Sequence, residues 1–207
     1  MIYSKYNCWD GFIPNKELVD IQGWNGTSSA LGLFNKNFNH QIIIDLGVWK
    51  GQSTLTLANN LKSQELKGTV IAIDTFLGSS EHHETELIGL LSGGRPDLLE
   101  RFMNNIYAYN MQDIVIPFPQ TSSNAYKILK TKNIHPTFVH IDAAHEYKEV
   151  LQDIQNYWEL MQEGGIMICD DYNCGWTGVD QAVNEFIIKN RLEKVTTVIF
   201  PKVIFQK

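Results

Sequence analysis

The sequence predicts an α/β domain built on a mostly parallel sheet and closed by an antiparallel hairpin. Three observations carry this. Short apolar runs rich in β-branched residues recur at 41–46, 69–74, 113–118, 137–142, 165–169, 195–200 and 203–206, unbroken enough to be strands covered on both faces. Helical patterns separate the earlier runs, which implies right-handed crossovers between parallel strands. Only Pro201 and Lys202 separate the last two runs, too few residues for a crossover helix, so those strands pair antiparallel.

Taken in chain order, residues 1–40 are aromatic and rich in Gly and Asn, and are expected as a helix or lid ahead of the main domain at 41–207. The first helix is expected over 52–62, with Leu55, Ala58 and Leu61 on one face. Across 146–160 the apolar residues Tyr147, Val150, Leu151, Ile154 and Trp158 step by threes and fours and paint one helix face, which makes Trp158 a core residue. Val179, Ala182, Val183, Phe186 and Ile187 repeat that spacing.

The first chemically loaded stretch is the turn after the first strand. Asp45 ends the strand, Gly47 and Gly51 make the turn, and Gln52 opens the helix. Glycines there allow a sharp turn and a ligand lying close to backbone, near a helix N-terminus. The GxxxG spacing is neither the dinucleotide GxGxxG nor a phosphate-binding loop. The second strand also ends in an acid, Asp74, placed to accept hydrogen bonds from the two hydroxyls of a ribose. Turn and acid together predict a nucleoside ligand.

The second loaded stretch is acidic. Asp142 ends one strand, and Asp170 and Asp171 end the next, one helix later. All three carboxylates then meet on the sheet edge that carries the glycine turn. A hard divalent cation, Mg²⁺ in particular, is the natural counter-charge and would lower the pKa of an acceptor hydroxyl. His145, three residues past Asp142, is placed to act as general base, as a metal ligand or as a hydrogen-bonding neighbour.

These residues resemble a known family. DLGVxxGxST at Asp45 to Thr54, the acid Asp74, and a long block with His140, Asp142, His145, Tyr147, Val150, Asp153, Trp158, Gly164, Gly165 and Asp170-Asp171-Tyr172 are similar to class I methyltransferases of the cephalosporin-hydroxylase and macrocin O-methyltransferase type. The resemblance implies a Rossmann-like seven-stranded sheet with a C-terminal antiparallel hairpin, and methyl transfer from S-adenosylmethionine to an oxygen. It implies a cofactor held by Asp45, Gly47, Trp49, Gly51, Ser53, Asp74, Thr75 and Asp142, with Thr121 and Ser122 on the adenine side. It implies Mg²⁺ on Asp142, Asp170 and Asp171, with Asp142 and His145 in catalysis. One departure is Ala144, which stands where macrocin-type members carry an acid, so the base role moves to His145 or is absent.

Composition narrows the partners. A net charge of −6 without any basic run argues against a nucleic-acid partner, and no apolar stretch marks a signal peptide or membrane anchor. Three sparse cysteines, Cys8, Cys169 and Cys174, read as reduced thiols of a cytoplasmic protein. The expected partner is a small molecule, with room for a homo-oligomer. The loop at 79–84, with Glu81, His82, His83 and Glu84, and the turn at 92–96, with Arg95, are candidate acceptor contacts. Trp9, Trp24, Tyr172 and Trp176 are candidate lid or wall aromatics. Two other readings use the same residues: a nicotinamide-dependent oxidoreductase, against which the missing GxGxxG counts, and a non-catalytic nucleoside-binding module, against which the acidic triad counts.

Overall fold

The computed structural model describes residues 7–24, 26–79, 82, 83, 89 and 94–207. Seven strands form one sheet: β1 (Gln41–Leu46), β2 (Gly68–Asp74), β3 (Val115–Pro119), β4 (Phe138–Ile141), β5 (Ile166–Cys169), β6 (Thr196–Ile199) and β7 (Lys202–Gln206). Their order is β3-β2-β1-β4-β5-β7-β6. The pairings among β1 to β5 are parallel, whereas β7 runs antiparallel to both β5 and β6. The seven apolar runs and the terminal hairpin are therefore all present.

Among the described residues five helices cover the sheet: α1 (Gln52–Ser63), α2 (Leu98–Ala108), α3 (Ser122–Thr131), α4 (Tyr147–Leu160) and α5 (Thr177–Asn190). Leu57, Leu61, Phe102 and Ile106 of α1 and α2 pack with Ile43 and Val70 on one face. Leu129, Ile154, Tyr157, Val183 and Phe186 of α3 to α5 pack with Ile44, Ile71 and Val139 on the other. The alternation of Ile43 and Ile44 to opposite faces is the period-two consequence of a strand buried on both sides. Trp158 lies against Phe186, ring centroids 5.4 Å apart, as its helical spacing predicts.

The described residues of the N-terminal stretch hold two 3-10 turns, Lys16–Leu18 and Ser29–Gly32, and no α-helix, and these turns lie against α2 and α1. Side chains tie it down. Asn105 donates to the carbonyls of Asp20 and Lys50 at 2.6 and 2.7 Å, and the buried Lys50 ammonium reaches Asp20. Gln52 accepts the Gly26 N–H, and Asn60 and Gln64 donate to Leu31 and Gly32. Among the described residues no helix is long and apolar enough to cross a membrane.

Candidate active site

The strand order reverses between β1 and β4, and in open α/β sheets the crevice outside the strand ends at that point is where ligands sit. The glycine turn lies there. Gly47 has φ +80°, and a Cβ on it would stand 1.9 Å from the carbonyl oxygen of Asp142. The turns after β1 and β4 touch at this point, so glycine is required by the protein's own backbone. Gly51, φ +94°, heads α1, and a Cβ there would meet the Phe102 ring at 3.0 Å. Each glycine makes room for a neighbouring element of the protein.

Asp45 lies in β1, one residue before its end. It was expected at the cofactor, yet it is fully buried. One carboxylate oxygen accepts from the hydroxyls of Ser53 (2.9 Å) and Thr54 (2.5 Å), and the other faces His140 Nδ1 at 2.8 Å. Asp45 and Ser53 face each other, and with Thr54 and His140 they fasten β1, α1 and β4 and position the turn.

Asp74 faces the crevice mouth. One oxygen accepts the N–H of Trp49 (3.1 Å) and the other the N–H of Phe76 (2.8 Å). Burial pushes its pKa above the usual carboxylate value, against these N–H groups and that of Val48. Trp49 has φ +49°, costly for a bulky residue, and its indole N–H donates to Gln22 at 3.1 Å. The ring stacks on His82, centroids 3.9 Å apart, with Trp24 within 6.0 Å of it. The N-terminal segment thus lies against the glycine turn through Gln22 and Trp24. Thr75 and Thr121 are exposed at the ends of β2 and β3. Thr121 caps α3 by accepting from Asn124, and the Ser122 carbonyl accepts from Tyr157.

The acidic cluster contains a residue not singled out from the sequence. Lys202, fully buried, donates its ammonium to Asp170 Oδ2, while His140 Nε2 lies 3.7 Å from the same oxygen. Asp170 Oδ1 accepts the N–H of Asp171 at 2.9 Å. Burial would raise Asp170, but His140 and Lys202 outweigh it and hold the carboxyl down to about 2. Asp142 goes the other way, pushed up to about 7 by burial and then by the charge of Asp170. Burial disfavours the imidazolium of His140, but Asp170 and Asp45 raise it to about 9.

The raised pKa of His140 predicts a pH effect on stability. Its folded pKa lies above its unfolded value, so its contribution is complete below about pH 6.5 and disappears as pH rises through about 9. The expected loss is on the order of 3 kcal/mol, because each tenfold gain in proton affinity corresponds to about 1.4 kcal/mol. Urea midpoints at pH 6 and pH 9.5 should differ in wild type and much less in His140→Gln; an equal loss in both refutes the assignment.

His145 Nε2 lies 3.0 Å from Asp171 Oδ2, and its ring stacks on Trp176 with centroids 3.9 Å apart and planes 11° from parallel. The turn is locked from below: a Cβ on Gly178 of α5 would stand 2.3 Å from the His145 carbonyl oxygen. Asp171 itself has φ +61°. Two groups of ligand atoms lie within 4.8 Å of one another, His140 with Asp142 and Asp170, and Asp142 with His145 and Asp171. The predicted trio of acids is thus divided, with Asp142 common to both groups. A cavity of about 10 Å³, room for one water-sized sphere, is lined by Asp142, His145, Asp170 and Asp171.

Other expected contacts scatter. Tyr172 donates to Asn184 and Trp9 to the Val115 carbonyl, both structural ties. Arg95 pairs with Glu100 at 3.0 Å on an exposed turn. His83 Nε2 lies 2.9 Å from the Leu77 carbonyl oxygen. Glu81, Glu84, Ser92 and Gly93 lie outside the described residues.

Known structures share this fold. The O-methyltransferase NovP superposes with a TM-score of 0.60 at 20% identity, over 81% of this chain and 72% of that one. An O-methyltransferase from Bacillus cereus, solved in complex with SAH, superposes with a TM-score of 0.58 at 16% identity, over 96% and 94%. CalS11, described as a TDP-rhamnose 3'-O-methyltransferase of calicheamicin biosynthesis, gives 0.57 at 14%, over 80% and 71%. No curated protein sequence matches the chain. The methyltransferase domain family matches residues 44–172. Since that stretch is more than half of the chain and runs from β1 to the acid pair after β5, this protein belongs to the methyltransferase domain family, with the class I fold.

Proposed function

We propose that the protein transfers a methyl group from S-adenosylmethionine to a hydroxyl of a small molecule of sugar or natural-product type. The observation that carries this is Asp74. Its oxygens accept the N–H groups of Trp49 and Phe76, with that of Val48 beside them, and a carboxylate has about four lone-pair sites, so acceptor capacity remains for the hydroxyls of a ribose. S-adenosylmethionine, when bound, supplies an already activated sulfonium methyl. Thr75, Thr121 and Ser122 border the nucleoside end, and Trp49 flanks the turn.

The acceptor side is the Asp142–His145–Asp171 corner. His145 takes the proton of the acceptor hydroxyl, and Asp171, 3.0 Å from its Nε2, stabilises the imidazolium that forms. Trp176, stacked on the imidazole, fixes the plane of the ring. The carboxylates of Asp142 and Asp171 suit Mg²⁺, which they would hold beside His145 and which would lower the pKa of a hydroxyl there. Preference for an oxygen acceptor is supported by this proton-accepting corner and by the O-methyltransferases among the similar structures. A net charge of −6 favours a small acceptor over nucleic acid, and the free thiols of Cys8, Cys169 and Cys174 suit the cytoplasm.

Calorimetric titration with S-adenosylhomocysteine tests the reading. Wild type is expected to bind in the micromolar range, and Asp74→Ala to bind at least about 100-fold more weakly, since hydrogen bonds to a charged group contribute about 1.5–3 kcal/mol each. No binding by wild type overturns the cofactor, and unchanged affinity in the variant overturns the ribose contact.

A further inference from the structure

A lysine ammonium is buried only beside a charge that compensates its lost hydration. Lys202 meets that condition at one carboxylate. Its side chain is 0% exposed and that of Asp170 3%. The topology accounts for the encounter: β7 runs against the parallel strands, so its first residue lies at the edge where they end. Pairing of Cys169 with Val203 then sets Lys202 beside Asp170. Asp170 Oδ1 is occupied by the Asp171 N–H, and Oδ2 receives the ammonium with His140 Nε2 at 3.7 Å.

We infer that Lys202 is a resident cation of the acidic cluster, standing at Asp170 where a divalent ion would otherwise coordinate and withholding that carboxylate from any metal. The outer corner of Asp142, His145 and Asp171 keeps its ligand atoms within 4.8 Å, so a divalent ion is directed there. The fixed ammonium also holds the cluster together without a metal, because one full positive charge stays among its carboxylates. The inference deepens the acceptor-side reading above and rests on it.

Mn²⁺ titration of the full chain, followed by electron paramagnetic resonance, tests it with wild type, Asp170→Asn, Lys202→Met and the double variant. Lys202→Met is expected to bind Mn²⁺ at least about tenfold more tightly than wild type, because a like charge is removed and a carboxylate released. The double variant should lose that gain, and Asp170→Asn alone should weaken binding by the loss of one nearby negative charge, on the order of tenfold, without abolishing it, its carboxylate being no ligand. Lys202→Met binding no tighter than wild type, or Asp170→Asn abolishing wild-type binding, overturns the inference. Should Lys202→Met fail to fold, rescue by Mn²⁺ or by adding Asp170→Asn supports the inference, and rescue by neither overturns it. S-adenosylhomocysteine binding in the same samples separates the two ideas: its absence removes methyl transfer while the Mn²⁺ result still decides the role of Lys202.

Discussion

Gly47→Ala is expected to destabilise the fold by more than about 4 kcal/mol, the range reserved for a specific structural fault. The methyl would have to occupy space 1.9 Å from the Asp142 carbonyl oxygen and 2.7 Å from the Ala143 Cα, at φ +80°. Both neighbours are backbone, so no side chain can swing away, and the turns after β1 and β4 must separate. The left-handed conformation alone accounts for only about 1–2 kcal/mol. Gly11→Ala isolates that part, because Gly11 has φ +77° with nothing within 4 Å of the added atom. Urea denaturation of the two variants should differ by several kcal/mol; equal midpoints would show that the turns are not in contact. The same separation moves Trp49 and Asp142 apart, so any folded Gly47→Ala should also bind S-adenosylhomocysteine weakly.

Asp45→Ala is expected to lower stability by about 3–5 kcal/mol, the usual consequence of leaving one member of a buried charged pair without its partner. Two hydroxyls, Ser53 and Thr54, and the His140 ring all rest on this carboxylate. The loss should shrink above pH 9, where His140 is neutral in the wild type as well, since its pKa is raised to about 9. Asp45→Asn keeps an acceptor for the hydroxyls and should lose less than the alanine variant. Denaturation curves at pH 7 and pH 9.5 measure both effects. A loss that does not depend on pH would mean that the His140 charge is not what Asp45 compensates.

The contrast between Asp45 and Asp74 shows where reading the sequence stopped. Both end a strand near the glycine turn and are equivalent as letters. Asp45 points inward between α1 and β4, whereas Asp74 sits at the crevice mouth held by two backbone N–H groups. Which way a strand-end side chain faces depends on the register of its neighbours, not on its own segment. The helix α2 was open to reading, since Leu98, Leu99, Phe102, Met103 and Ile106 have helical spacing. Helix α3 opens instead with Ser122-Ser123-Asn124 and buries only Ala125 and Leu129, a weak periodic signal.

Lys202 is the clearest case. In the chain it reads as a loop residue beside Pro201, joining two strands. Its burial follows from β7 entering the sheet between β5 and β6, which carries the first residue of β7 to the acids at the end of β5. The strands, the parallel order with its terminal hairpin, and the convergence of Gly47, Asp74, Asp142, Asp170 and Asp171 on one sheet edge were legible in the chain alone, because they follow from local periodicity and the lengths of βαβ units. Which of these groups neutralise one another, and which stay available, emerged only in three dimensions, because charge compensation acts through space between residues far apart in the chain.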